Sequence, residues 1–238
     1  MFGTRAADGI TARRLPYARP VRKPGPPSRE REPGRRLAWS TAIFSIATGI
    51  SRVLGLFREI VVRRYFGVQG EINAFTVAFQ VPNLVRALAA DMALGAAFVP
   101  VFSELLEKNE RARAWRVAST LLWLVLIVLG ALTALFVLVA PWIMGVFGLG
   151  EPLDDLAVTL SRLLFPIVLL MGVSGIVVGI LNSYEQFSVP ALMPVLWNLV
   201  IIVALIAFVP QFESQEARLY VYAGGVLAGT VIQVVTPV

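Results

Sequence analysis

Of the 238 residues, 57% are hydrophobic and only 15% charged, and the mean hydropathy is +0.76. Soluble domains carry roughly 45–50% apolar and about 25% charged residues, so this balance excludes an ordinary soluble domain. The chain has no Cys and no His. That excludes disulfides and thiolate catalysis, and it removes the usual imidazole base and the commonest metal ligand.

The net charge of +6 is unevenly placed. Residues 1–36 hold ten Lys or Arg and three acids, and the other 202 residues sum to −1. This Arg/Pro/Gly-rich segment is expected to be a disordered cytoplasmic tail. Its basic stretch is long and Pro-interrupted, unlike a signal peptide. It offers no aromatic stacking platform, so nucleic acid is not an expected partner. Contact with anionic membrane lipids is the modest addition to a positive-inside role.

Residues 37–238 read as a transmembrane helical unit. No charge falls between Arg116 and Glu151, between Arg162 and Glu185, or between Glu185 and Glu213. Each run exceeds the ~20 apolar residues that a helix needs to cross a bilayer. Six spanning segments are predicted, at about 38–62, 72–102, 115–140, 159–182, 190–209 and 218–236. The third is predicted to end at Pro141, and the fifth to start at Pro190 and stop before Pro210. Pro82 predicts a kink or break in the second segment near Ala78. The loop at 103–116 carries Lys108, Arg111, Arg113 and Arg116, whereas 142–158 has no Lys or Arg. Positive-inside bias therefore places the N-terminus in the cytoplasm, with Arg63 and Arg64 running against it.

The first two segments carry the chemistry. At 100° per residue, Thr41, Ser45, Thr48, Arg52, Glu59 and Arg63 fall on one stripe, with Gly55 beside it. Arg52 lies about 21 Å along the helix, where a charge is costly unless it faces water or a partner. The alternatives are a water-filled cavity or a structural pair of Arg52 with Glu59. On the second segment Asn73, Gln80 and Asp91 project to nearly one face, and Arg86 follows Pro82-Asn83. Arg86 and Asp91 could neutralise each other on neighbouring turns. Alternatively Arg52, Arg58 and Arg86 converge on a cationic chamber suited to an anion, because Arg presents a planar fork to phosphate. Segments three to six read as scaffold. Gly172, Ser174, Gly175 and Gly179 form one small-residue face, Gly225 and Gly229 another, and Asn182 and Asn198 read as packing or capping residues. No nucleophile–base pair, P-loop, cofactor motif or metal cluster can be placed, so an enzyme is not expected.

SRVLGLFRE (51–59), NAFTVAFQVPNLVRAL (73–88), AAFVPVF (96–102), APW (140–142), GILNSYEQFSVPALMPVLWN (179–198) and GG (224–225) together resemble the MurJ/MviN family. The resemblance covers about 38–235. It implies an all-α polytopic fold of the multidrug/oligosaccharidyl-lipid/polysaccharide exporter superfamily, in the bacterial cytoplasmic membrane. It also implies flipping of lipid II, the undecaprenyl-pyrophosphate-linked peptidoglycan precursor, by alternating access driven by ion gradients or membrane potential. On this resemblance Arg52, Arg58 and Arg86 match the family's cavity arginines, with Asn73, Asp91 and Glu59 beside them. The family usually has Asp where this chain has Asn73, and Glu-Gly where it has Asp91-Met92. The family's two lobes hold about fourteen helices, so six helices imply an N-terminal lobe alone. The chain is then truncated, or a second polypeptide or copy supplies the other lobe. The competing readings are another exporter of the superfamily, disfavoured for cationic drugs by the arginines, and a non-transporting scaffold that recruits cell-wall synthesis proteins.

Overall fold

In hydrocarbon every backbone N–H and C=O must find its partner inside the protein, and uncharged runs of this length satisfy that condition as helices. The computed structural model describes the backbone of residues 31–150 and 152–237, and the side chains of residues 42–85, 98–150 and 152–237. The order is α1 (Arg31–Phe66), α2 (Glu71–Glu107), α3 (Arg111–Gly145), α4 (Leu153–Leu164), α5 (Pro166–Ser183), α6 (Ser188–Phe208), a 3₁₀ turn (Val209–Gln211) and α7 (Gln215–Val235). No strand occurs among the described residues. Four helical units among them are long and apolar enough to span a bilayer: Arg111–Gly145, Leu153–Ser183, Ser188–Gln211 and Gln215–Val235. α1 and α2 have 36 and 37 residues, each longer than a bilayer requires.

Six rods thus match the six predicted segments, with three local differences. The fourth rod is two helices, α4 and α5, that meet at Phe165-Pro166. Pro166 has no N–H to continue the ladder and instead starts α5, where a missing donor is harmless. α2 runs unbroken through Pro82. Pro82, Ala74, Phe75 and Ala78 are buried, so tertiary packing holds the helix where one backbone bond is lost. α3 does not stop at Pro141 but continues to Gly145. The carbonyl that Pro141 cannot satisfy belongs to Val137, four residues back, and Arg162 Nε of α4 donates to it at 3.0 Å. A side chain from the next helix replaces the absent backbone donor.

The packing sets where the first two helices go. α1 lies on α6, whereas α2 lies on α5 and α4; α7 packs on α6 and α5, and α3 on α5 and α4. The turn between α1 and α2 uses Gly67 (φ 71°) and Gly70 (φ 81°), a left-handed conformation that costs glycine nothing sterically. Just beyond that turn the rings of Phe66, Tyr222 and Phe75 stack in series, at 5.9 and 4.2 Å between centroids. They tie α1 and α2 to α7. Past the stack, α1 follows α6 while α2 follows α5.

The small-residue faces are packing faces. A Cβ on Gly172 would collide with Leu129 of α3, and one on Gly179 would come within 2.9 Å of Phe98 of α2. On α7 a Cβ at Gly225 would lie 2.8 Å from Ala204, and one at Gly229 3.0 Å from Trp197 Cδ1. Without side chains these positions let backbones approach closely, which is how helices associate where no hydrophobic drive separates them from lipid. Gly224, next in chain to Gly225, meets nothing within 4 Å. It opens onto an apolar groove between α6 and α7 of about 450 Å³.

Candidate functional site

A cavity of about 260 Å³ lies where α2 meets α5, α6 and α7. Phe79, Pro82 and Asn83 of α2, Ile167 and Met171 of α5, Pro194 and Trp197 of α6, and Gln233 of α7 line it. The lining is mostly apolar, and Asn83 and Gln233 supply side-chain amides.

Arg58 approaches this region from α1. Its guanidinium carbon lies 4.9 Å from the Trp197 ring centroid. Its Nε is buried and has no hydrogen-bond partner among the described residues. Glu59, its neighbour in sequence, pairs instead with Arg63, one turn on, at 3.3 Å. The alternative pairing of Arg52 with Glu59 is therefore not formed. Arg52 is exposed, and no ion pair reaches it among the described residues. It stands about 120° around the helix from Arg58, so the two arginines present to different sides of α1.

The stripe that contains Arg52 is real as a surface. Ser45, Arg52 and Arg63 are exposed, and Thr48 and Glu59 half-buried. Thr48 satisfies its hydroxyl on its own helix, donating to the Phe44 carbonyl at 2.8 Å. Asn73 sits exposed in the first turn of α2, its backbone N–H bonded to the Gly70 carbonyl at 2.9 Å. The side chains of Thr41, Arg86 and Asp91 lie outside the described residues, and with them the convergence of three arginines and the pairing of Arg86 with Asp91.

What seats α1 on α6 is Asn198. It is 5% exposed. Its amide donates to the Pro194 carbonyl at 2.9 Å and reaches the Ser51 carbonyl at 3.4 Å and hydroxyl at 3.5 Å. Gly55 passes its Oδ1, which a Cβ there would meet at 3.8 Å. Asn198 is thus the packing residue its sequence context predicts.

Sequence reasoning missed Trp197, its partner Thr230, and Glu71, whose buried Oε2 has no partner among the described residues. A signal for Trp197 existed. Trp in a membrane helix favours the interface, and this one stands mid-helix in α6. Glu71 had the weaker signal of an acid in a first helical turn.

These features define a class: a polytopic α-helical membrane protein whose first helix carries Arg58 against Trp197, one of the residues that line a mostly apolar cavity. The chain belongs to the MurJ family, whose model, lipid II flippase MurJ, matches residues 62–238. The lipid II flippase MurJ of Burkholderia cenocepacia is 34% identical over 196 residues, 78% of this chain and 36% of that protein. That of Thermosipho africanus is 34% identical over 169 residues, 70% and 35% respectively. A solved lipid II flippase MurJ in an inward closed conformation superposes with a TM-score of 0.67 at 29% identity, over 82% of this chain and 41% of that one. The chain spans about a third of the length of the curated relatives it matches, 32% to 37%.

Proposed function

We propose that residues 37–238 form the first lobe of a lipid II flippase in the bacterial cytoplasmic membrane, with the N-terminus and the tail 1–36 on the cytoplasmic side. The observation that carries this reading is Arg58: a cation partly buried beside a cavity, with no carboxylate assigned to it among the described residues. An intramembrane charge without a counter-charge suits an anionic ligand, and Arg offers pyrophosphate two parallel N–H donors. Arg86 joins Arg58 at the pyrophosphate, and Arg52, on another side of α1, serves the same transport path from the exposed stripe. Glu59, Asn73 and Asp91 tune the local charge, Asn73 as a neutral stand-in for the Asp usual in the family. The work is transport by alternating access against a second lobe, with no bond made or broken. The relatives named as lipid II flippases and the structural neighbour support it.

The test is lipid II translocation in cells depleted of their own flippase, with the chain joined to or co-expressed with a second lobe. Arg52→Ala, Arg58→Ala and Arg86→Ala should each abolish outer-leaflet lipid II while the protein still inserts. Normal outer-leaflet lipid II in all three variants would sink the proposal. Asn73, in place of the family's usual Asp, favours one second reading, a non-transporting lobe that recruits cell-wall synthesis proteins through its basic tail. Deleting residues 1–36 would then abolish recruitment and leave flipping untouched.

A further inference from the structure

We propose that Trp197 is the positioning residue of Arg58: its indole face holds the guanidinium where a carboxylate would otherwise be needed, leaving the cation free to bind an anion. This rests on the anion-binding reading above and deepens it. Two neighbouring helices converge on this ring of α6. From α1, Arg58 lies over it at 4.9 Å. From α7, Thr230 accepts the indole N–H at 3.2 Å, and its own hydroxyl donates to the Val226 carbonyl at 2.9 Å, so both groups are fixed. Also from α7, Gly229 leaves the space the ring needs, since a Cβ there would lie 3.0 Å from Trp197 Cδ1 and 3.2 Å from its carbonyl oxygen.

The chemistry of the choice is clear. A carboxylate partner would neutralise the arginine and occupy its fork. The negative face of an indole attracts the cation more strongly as water is excluded, yet uses none of its N–H donors. The nearest acid in sequence, Glu59, is held by Arg63. The site therefore keeps a positive charge in a region of low polarity, with no ion pair to neutralise it among the described residues.

The experiment uses the whole chain in lipid nanodiscs with Trp39, Trp115, Trp123 and Trp142 changed to Phe, so that Trp197 alone emits. Arg58→Met should shift the emission and change its intensity. Unchanged emission would overturn the proposal, whatever happens to anion binding. Inorganic pyrophosphate is then titrated against the same chain. Trp197→Leu should weaken binding about tenfold or more, whereas Trp197→Phe, which keeps an aromatic face, should stay within about threefold. Equal weakening by Leu and Phe, with helicity unchanged by circular dichroism, would mean that the ring only packs and would overturn the positioning role. Absence of pyrophosphate binding by the unsubstituted chain, with the emission response to Arg58→Met intact, would instead bring down the anion-site reading and the service the ring performs for it.

Discussion

A carbonyl without a donor is costly in a membrane, and Arg162 shows how one side chain can satisfy it. Pro141 leaves the Val137 carbonyl open, and Arg162 fills it. Removing the arginine side chain by Arg162→Leu should cost about 1 kcal/mol in equilibrium unfolding from bicelles. The same substitution in a Pro141→Ala background should cost much less, because the substituted alanine restores the backbone N–H. Equal costs in both backgrounds would refute this account. Asn198 is the second such residue. Asn198→Ala should lose about 0.6–1.7 kcal/mol and raise hydrogen exchange along α1 at Ser51–Gly55, since its amide is what reaches across from α6. Arg52 is different in kind: exposed on α1 with no ion pair among the described residues, it should contribute little to folding, so Arg52→Ala should unfold like the unsubstituted chain.

At the scale of helices, glycines decide which surfaces meet. Gly225 and Gly224 are neighbours in sequence with opposite environments, one closed on Ala204 and the other open. Gly225→Leu should destabilise the α6–α7 pair by about 1–3 kcal/mol, the usual cost of overpacking. Gly224→Leu should insert and melt like the unsubstituted chain, as thermal unfolding in detergent would reveal. The prolines follow the same logic. Pro166 starts a helix and Pro141 is bypassed, so the residue type alone does not fix whether a rod ends. What decides is the tertiary surroundings: Arg162 supplies the lost donor at Pro141, and burial holds α2 together at Pro82.

Across the whole molecule, charge placement sets orientation. The chain has no cysteine, so single reporters can be introduced cleanly. Glu107→Cys, exposed at the end of α2, should react with a membrane-impermeant thiol reagent only from the cytoplasmic side. Phe147→Cys, exposed after α3, should react only from outside. The reverse pattern would overturn the orientation derived from the basic loop at 103–116. Much of this architecture was legible in the sequence. Uncharged runs marked the rods, and small-residue spacing marked the close contacts at Gly172, Gly179, Gly225 and Gly229. Periodicity placed Arg52 on a polar stripe. It could not say that Glu59 would choose Arg63 over Arg52, because a helix offers an acid partners both one turn and two turns away, and the nearer one won.

The sequence by itself determined that this is a helical membrane protein, where its six rods lie, and that its first two helices carry charges lipid disfavours. Hydrocarbon enforces those conclusions residue by residue, through hydropathy and backbone satisfaction. Only the tertiary structure decided that α1 would pack on α6 and α2 on α5, and so that a tryptophan from the far end of the chain would lie under Arg58. Such pairings depend on which helix faces meet in space, and spacing along one chain does not encode the relative rotation of two helices.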